Sequence, residues 1–346
     1  MNKDIKEIFN LIKKYDTITI FGHINPDGDC YGSSLALREL IRLNFPRKKV
    51  FSLAGTLPQL ERRLAKPDSL EDEQIIKDSL AILVDVSEVE RVSDQRVNLA
   101  KQIIKIDHHI ESRPFYGIKW VDEGAIAACQ MIAEMAFAYK LKINKLIAEL
   151  LYLGICTDSG RFRYQPTNSK THRIVADLLE YGVETESMFK ILYLSEEAYV
   201  KYQALLVSKF KRTAHNVIYC CADVNDYEQF GLRFDQISKN VNVIGNIRGC
   251  PAWVLFTRSP ENFIRVEFRS QTLNVQKVAA KYGGGGHLHA AGARLNDQTD
   301  FSLAMQIVED LEHEAALEAI ENNVWTRTWS SLARNKFSSW INFRNL

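Results

Sequence analysis

Short apolar runs alternate with amphipathic stretches through the first half of the chain. Ile5, Ile8, Phe9 and Ile12 recur at helical spacing and predict an amphipathic helix near the N-terminus. Thr17–Phe21 (TITIF) is a β-branched run of strand length, and Ser33 to Leu43 returns to helical period through Leu35, Leu37, Leu40 and Ile41. Lys49–Leu53, Leu80–Val86 and Gln102–Ile106 are three further short apolar runs, of the kind that suits parallel strands covered on both faces. Helices are predicted over about Ala125–Lys140, Lys145–Thr157 and Ser169–Tyr181. Together these elements predict an α/β domain with a mainly parallel sheet over residues 1–185. Tyr193 to Arg212 reads as one helix of mixed charge, within a helical linker at 186–214. From Asn216 the texture changes: VIYCCADV, AWVLFTR and NFIRVEFRS read as strands, and Asn274–Tyr282 reads as a helix stopped by four glycines. A second, smaller α/β domain is therefore expected over 215–321.

Composition narrows the class. Hydrophobic residues at 46% and charged residues at 25% exclude disorder as the main state. A length of 346 residues fits about two domains. Lys plus Arg (44) nearly balances Asp plus Glu (43), and a formal charge of +1 argues against coating long nucleic acid by bulk electrostatics. The six cysteines have no C-x-x-C spacing, which fits reduced thiols in the cytoplasm. The N-terminal stretch lacks a signal-peptide core, and no run reaches about 18 apolar residues; Leu146 to Cys156 is nearest and carries Glu149. A cytoplasmic protein with no membrane span is expected.

The informative residues follow three of the strands. TITIF runs into Gly22-His23-Ile24-Asn25-Pro26-Asp27-Gly28-Asp29, LAILV into Asp85-Val86-Ser87, and QIIKI into Asp107-His108-His109. Open α/β sheets bind ligands outside the carboxyl ends of their strands, so these groups are expected at one edge. A single strand-end Asp is common in turns and N-caps. Three clusters with two adjacent histidines exceed what capping needs. Carboxylate and imidazole without a dominant thiolate set favour Mn²⁺, Mg²⁺ or Zn²⁺. Mutual repulsion among Asp27, Asp29, Asp85 and Asp107 requires cations. The number of groups fits a pair of ions about 3.5–4 Å apart, the arrangement used for in-line phosphoryl displacement. Asp158, where a predicted helix ends, is either a fourth contributor or a mere cap.

These residues carry a resemblance. His23-x-x-x-Asp27-x-Asp29 with Gly32-Ser33, Asp85-Val86-Ser87, Asp107-His108-His109 and Thr157-Asp158-Ser159-Gly160-Arg161-Phe162 resemble the four motifs of the DHH phosphoesterase family. Lys281-Tyr282-Gly283-Gly284-Gly285-Gly286-His287 with Ala290-Ala291-Gly292 is similar to the signature of the family's DHH-associated C-terminal domain. The motifs run in order from about residue 17 to 295, and the subfamily they resemble is the nano-RNase and 3′-phosphoadenosine-5′-phosphate phosphatase type. The resemblance implies two divalent ions, manganese before magnesium. It places His23 and Asp27 on one ion, Asp29, His108 and Asp158 on the other, and Asp85 between them. His109 faces the substrate phosphate and Asp107 orients the cluster, so Asp85, His109 and Asp107 are the candidate catalytic residues. Cys30 departs from the family's small or aliphatic residue; it reads as a buried inert thiol or as a site of oxidation beside the metal loop.

The same resemblance makes 215–321 a substrate-binding domain, with a cleft between it and the catalytic domain. Arg269, Ser270, Gly284, Gly285, Gly286 and His287 would hold the far end of the substrate, the glycines through close backbone approach to an anion. His289 reads as structural, and Asn274 stands where the family often has an acid. Residues 322–346 form a basic tail with Trp325, Trp329 and Trp340, expected to pack on its own protein. The expected function is a metal-dependent phosphodiesterase that cuts very short oligoribonucleotides to nucleoside 5′-monophosphates, with 3′-phosphoadenosine-5′-phosphate as a second substrate giving AMP. Two alternatives stand beside it: a phosphodiesterase for cyclic dinucleotides or their linear products, and a non-catalytic RNA-binding module. A homodimer is left open.

Overall fold

The computed structural model describes residues 3–110, 113–237, 240–296 and 300–320. The chain divides into two units between Leu194 and Ser195.

In the first unit, strands β1 (Thr17–Phe21), β2 (Lys49–Ser52), β3 (Leu80–Val84), β4 (Gln102–Asp107) and β5 (Ile118–Val121) form an all-parallel sheet in the order β2-β1-β3-β4-β5. Its helices are α1 (Lys3–Lys14), α2 (Gly28–Asn44), α3 (Pro58–Glu61), α4 (Glu73–Lys77), α5 (Ala128–Ala138), α6 (Lys145–Asp158), α7 (Ser169–Leu179) and α8 (Thr185–Tyr193). Both faces of the sheet are covered, as the continuous apolar runs require. Leu80, Ile82 and Val84 of β3 join the core under α1, α2, α5, α6 and α7, while Ala81 and Leu83 join a smaller cluster with Ile76 of α4. Burying each such aliphatic side chain contributes about 1.5–3 kcal/mol.

An ion-pair network ties α2 to β2. Arg38, buried on α2, donates to Asp68 Oδ2 at 2.9 Å and to the Lys66 carbonyl at 2.6 Å; Arg42 donates to Asp68 Oδ1 at 3.1 Å. The Ser52 N–H at the end of β2 donates to the same carboxylate at 2.8 Å. Burial alone would raise the Asp68 carboxyl, but the Ser52 N–H and the two guanidinium groups hold it below the usual carboxylate range. A depressed carboxyl contributes stability that is present above its unfolded pKa of about 3.9 and lost as pH falls through the folded value. Asp68→Asn is therefore expected to cost the first unit about 2–3 kcal/mol at pH 7. The difference from wild type should shrink below pH 4 in urea unfolding; a gap that stays constant with pH would remove this role.

The second unit contains α9 (Glu197–Lys209), β6 (Lys211–Arg212), β7 (Ile218–Ala222), α10 (Val224–Glu228), β8 (Ala252–Arg258), β9 (Ile264–Ser270), α11 (Val275–Lys281), β10 (Gly285–His287) and β11 (Ala290–Leu295), followed by helical positions 302–320. Its sheet runs β10-β11-β9-β8-β7-β6, antiparallel except for β7 beside β8. One face packs on Val275 and Val278 of α11 with Ile307 and Leu311. The other packs on Tyr202 and Leu206 of α9 with Val241 and Ile244.

The smaller α/β domain is present, and three local expectations change. The stretch expected as a linker is shared between the units, because Met188 of α8 is buried in the first core and Tyr202 and Leu206 of α9 in the second. The single helix expected over Tyr193–Arg212 is consequently broken at 194–196, where Leu194 and Glu196 are extended. The run expected as a strand to Val86 ends at Val84, because Asp85 turns out of the sheet with φ +56°. The basic tail at 322–346 lies outside the described residues. Among the described residues, no helix is long and apolar enough to cross a membrane.

Candidate metal centre

The strand order reverses between β1 and β3, and β4 is the next neighbour of β3. Crevices at such switch points lie at the carboxyl ends of the strands. The three motif loops, 23–29, 85–87 and 107–109, therefore leave adjacent strands at one edge, and α6 brings Asp158 to it as its last residue. Asp158 is not a cap: its Oδ2 lies 3.4 Å from His108 Nε2. The approach of α6 to α2 depends on Gly154, where a Cβ would meet Asp29 Oδ1 at 2.5 Å and collide with Cys129 Sγ.

Each side chain is held by a specific neighbour. His23 Nδ1 meets the Ile24 carbonyl at 2.8 Å; a carbonyl only accepts, so Nδ1 carries the proton and Nε2 faces Asp27 and Asp85 at 3.8 and 3.6 Å. Asp27 caps α2, with Oδ1 accepting from the N–H groups of Asp29 (3.0 Å) and Cys30 (3.1 Å). Asp29, fully buried, accepts from the N–H groups of Ala128 (2.6 Å) and Cys129 (2.9 Å) at the start of α5. Those two donors are a hundred residues away in sequence, and the only local signal is the small-residue run Ala127-Ala128 that lets the helix end come close. Asp107 Oδ1 accepts from the His108 N–H, the His109 N–H and His109 Nδ1 at 2.9, 3.3 and 2.7 Å.

Asp85 lies at the centre, 2% exposed and in the left-handed backbone region, a strain of about 1–3 kcal/mol that surrounding structure must impose. Its Oδ2 faces His23 Nε2 at 3.6 Å, and its Oδ1 faces His108 Nε2 at 3.2 Å and His109 Nδ1 at 3.6 Å. Donor atoms of Asp85, His108 and His109, of Asp29, His108 and Asp158, and of His23, Cys30 and Asp85 each lie within 4.8 Å of one another. The three groups overlap through Asp85 and His108, and together they suit two divalent ions. Cys30 is buried, its Sγ accepts from the His23 N–H at 3.2 Å, and burial pushes its thiol up to about 11.

The charges fit cations. Burial and the charge of Asp85 push the Asp29 carboxyl up, and burial and the charge of Asp29 do the same to Asp158. Burial alone would also raise Asp85, but the facing imidazoles of His108 and His23 bring it down. Burial would lower His23 and His108; carboxylates overturn this, Asp27 and Asp85 for His23, Asp158 and Asp85 for His108, and both rise. Asp85 Oδ1 and His108 Nε2 nonetheless have no well-directed hydrogen bond, although both are buried. Orphaned groups of this kind cost about 1–3 kcal/mol each, and a divalent cation satisfies a carboxylate oxygen and an imidazole nitrogen together.

The residues expected to bind substrate lie in the second unit. Arg269, Ala290 and His287 occupy one row across β9, β11 and β10. Arg269 Nη1 donates to the Phe268 carbonyl at 2.7 Å. Ser270 Oγ bonds the Leu273 carbonyl at 2.6 Å and His289 Nδ1 at 2.9 Å, so its hydroxyl braces the turn, and His289 with it. Asn274 caps α11 by accepting from the Lys277 N–H at 3.2 Å. The glycine run is less open than expected: the N–H groups of Gly283 and Gly284 close α11 on the Ala280 and Ala279 carbonyls, and Gly285 and Gly286 belong to β10. Gly286 has φ +138°, a conformation that requires glycine. As an edge strand, β10 keeps outward-facing main-chain groups.

Residues 17–155 match the DHH family, N-terminal domain, and residues 214–314 match the DHHA1 domain. The chain is 33% identical over 309 residues to the bifunctional oligoribonuclease and PAP phosphatase NrnA of Bacillus subtilis strain 168, covering 88% of this chain and 97% of that protein. It is 34% identical over 302 residues to the protein of the same name from Mycoplasma genitalium, covering 86% and 94%. An exopolyphosphatase-related protein from Bacteroides fragilis shares the fold, with a TM-score of 0.82 at 22% identity over 92% of this chain and 99% of that one. Motif order, strand-end geometry and these matches agree: the chain belongs to the DHH family, in the branch with a DHHA1 domain that includes the NrnA proteins.

Proposed function

We propose that the protein hydrolyses very short oligoribonucleotides to nucleoside 5′-monophosphates, and 3′-phosphoadenosine-5′-phosphate to AMP and phosphate, with manganese as its working ion. The observation that carries this reading is Asp85, whose two oxygens face different imidazoles at the switch point of the sheet. His23, Asp27 and Asp85 would hold one ion, and Asp85, Asp29, His108 and Asp158 the other. When bound, such a pair supplies positive charge to phosphoryl oxygens and acidifies water towards neutral pH. Asp107 engages His109 Nδ1, which supports a role for His109 Nε2 at a non-bridging oxygen of the phosphate. Water then attacks phosphorus in line and the leaving oxygen departs with a proton. Two relatives called oligoribonuclease and PAP phosphatase, matched over nearly their whole length, support the substrate class. Oxygen and nitrogen donors support a hard or borderline ion. The absence of C-x-x-C spacing supports the cytoplasm as the compartment.

A manganese-supplemented panel tests the reading: a diribonucleotide, a pentanucleotide, a 24-mer, a cyclic dinucleotide and 3′-phosphoadenosine-5′-phosphate. The expected order of kcat/KM places two to about five nucleotides first, with a steep fall by the 24-mer, since a net charge of +1 offers little hold on extra phosphates. AMP should form from 3′-phosphoadenosine-5′-phosphate. A cyclic dinucleotide as the fastest substrate would replace this reading by the signalling one. RNA binding without hydrolysis would replace it by the binding module.

Arg269 is the side chain proposed to hold the far end of the substrate, with His287 in the same cross-strand row. Arg269→Ala is expected to raise KM about tenfold with the ions retained, because it removes binding and not chemistry. An unchanged KM for the dinucleotide would show that the second unit reads the substrate through other groups.

A further inference from the structure

We propose that Lys105 is a positioning residue for this hydrolysis: its ammonium braces the Asp107 carboxylate, which in turn sets the His109 imidazole. The inference rests on the hydrolytic reading above. Ile103, Lys105 and Asp107 alternate along one face of β4, so Lys105 occupies an interior position of a strand flanked on both sides, with Leu83 opposite it on β3 and Lys119 on β5. It is 1% exposed, and a lysine this buried calls for a specific charge partner. Its Nζ lies 3.2 Å from Asp107 Oδ2, 3.2 Å from the Ser87 carbonyl oxygen and 5.8 Å from the centre of the Phe115 ring.

The two oxygens of Asp107 have different duties. Oδ1 takes the N–H groups of His108 and His109 and His109 Nδ1, while Oδ2, fully buried, has the Lys105 ion pair and no hydrogen bond. His109 Nδ1 is 2.7 Å from Asp107 Oδ1 and 3.6 Å from Asp85 Oδ1, so two carboxylates compete for one imidazole. The Lys105 charge keeps Asp107 oriented for that grip, and the grip keeps His109 off Asp85, whose oxygens are needed elsewhere. Without the ammonium, Oδ2 has lost its counter-charge, the carboxylate is held on its Oδ1 side alone, and His109 can shift towards Asp85. Distant supports of this kind act by orienting a group that touches the substrate, and small misplacements of such groups cost large factors in rate.

The test uses the full chain with manganese and a diribonucleotide. K105M keeps the unbranched stem and removes the charge; it is expected to lower kcat about 30-fold, leave KM within threefold and retain two ions at saturating manganese. K105R keeps the charge, and the cavity of about 530 Å³ that Lys105 lines with Arg113 and Phe115 gives it room, so it should restore kcat to within fivefold of wild type. In an H109A background the K105M change should cost less than twofold, because the residue through which it acts is gone. A purely structural lysine would cost the same factor in both backgrounds, and that outcome, or a wild-type kcat in K105M, overturns the proposal. If K105M does not fold, K105Q replaces it: a kcat at least tenfold higher in K105R than in K105Q supports the role, and equal values overturn it. Absence of hydrolysis by the wild-type chain would overturn the hydrolytic reading and this inference with it, whereas an unaltered K105M overturns the inference alone.

Discussion

Asp85→Asn is expected to lower kcat by about a thousandfold or more and to weaken manganese binding at both positions. The substitution keeps the shape of the side chain and removes one negative charge from the point between the clusters, where Oδ2 faces His23 and Oδ1 faces His108. An amide offers one oxygen and an N–H₂ group, so it cannot present an acceptor to each side. One of the two ions must then lose a ligand, and displacement that relies on charge at both the attacking and the leaving oxygen loses much of its stabilisation. Metal content by mass spectrometry and single-turnover rates on a diribonucleotide check this together. A variant that holds two ions tightly and turns over at wild-type rate would remove Asp85 from the bridging role.

A large effect is also expected at a residue that bears no side chain at all. Gly154→Val should lower kcat about a hundredfold and leave less than two equivalents of manganese bound. A Cβ at this position meets Asp29 Oδ1 at 2.5 Å and also collides with Cys129 Sγ. Asp29 cannot yield, because its oxygens are fixed by the Ala128 and Cys129 N–H groups, so α6 must move away from α2 and carry Asp158 with it. Overpacking of this kind costs about 1–3 kcal/mol, which a thermal melt should register alongside the lost ion. Wild-type stability with two bound ions would mean that the α2–α6 contact adapts without disturbing the site.

Most of the site is legible in the sequence, because its chemistry sits in short motifs directly after buried strands. His23, Asp27, Asp85, Asp107, His108 and Asp158 need no knowledge of distant contacts to be noticed; only their convergence requires the strand order. What was not legible depends on long-range partners. The N–H groups that hold Asp29 come from α5, and nothing near Asp29 announces them. Lys105 reads as an interruption in an apolar run until its distance to Asp107 is seen. Ser270 suits substrate contact by type, yet its hydroxyl is engaged by Leu273 and His289. The β5 strand has only four residues with mixed burial, too short for alternation to show, and β10 is built partly from glycines, which have no side chain to pattern. The break between α8 and α9 is likewise invisible in a sequence of continuous helical propensity, since it records which core each helix joins.

Two divalent ions held at the ends of β1, β3 and β4 are proposed to drive hydrolysis of very short RNA. Stripping the full chain with a chelator, returning manganese in steps, and following conversion of a diribonucleotide to mononucleotides alongside bound metal tests this most directly. Hydrolysis should be absent in the stripped protein and should appear as the second equivalent binds, reaching its plateau at two. Mononucleotide release by the metal-free protein, or full activity at a single equivalent, would contradict it.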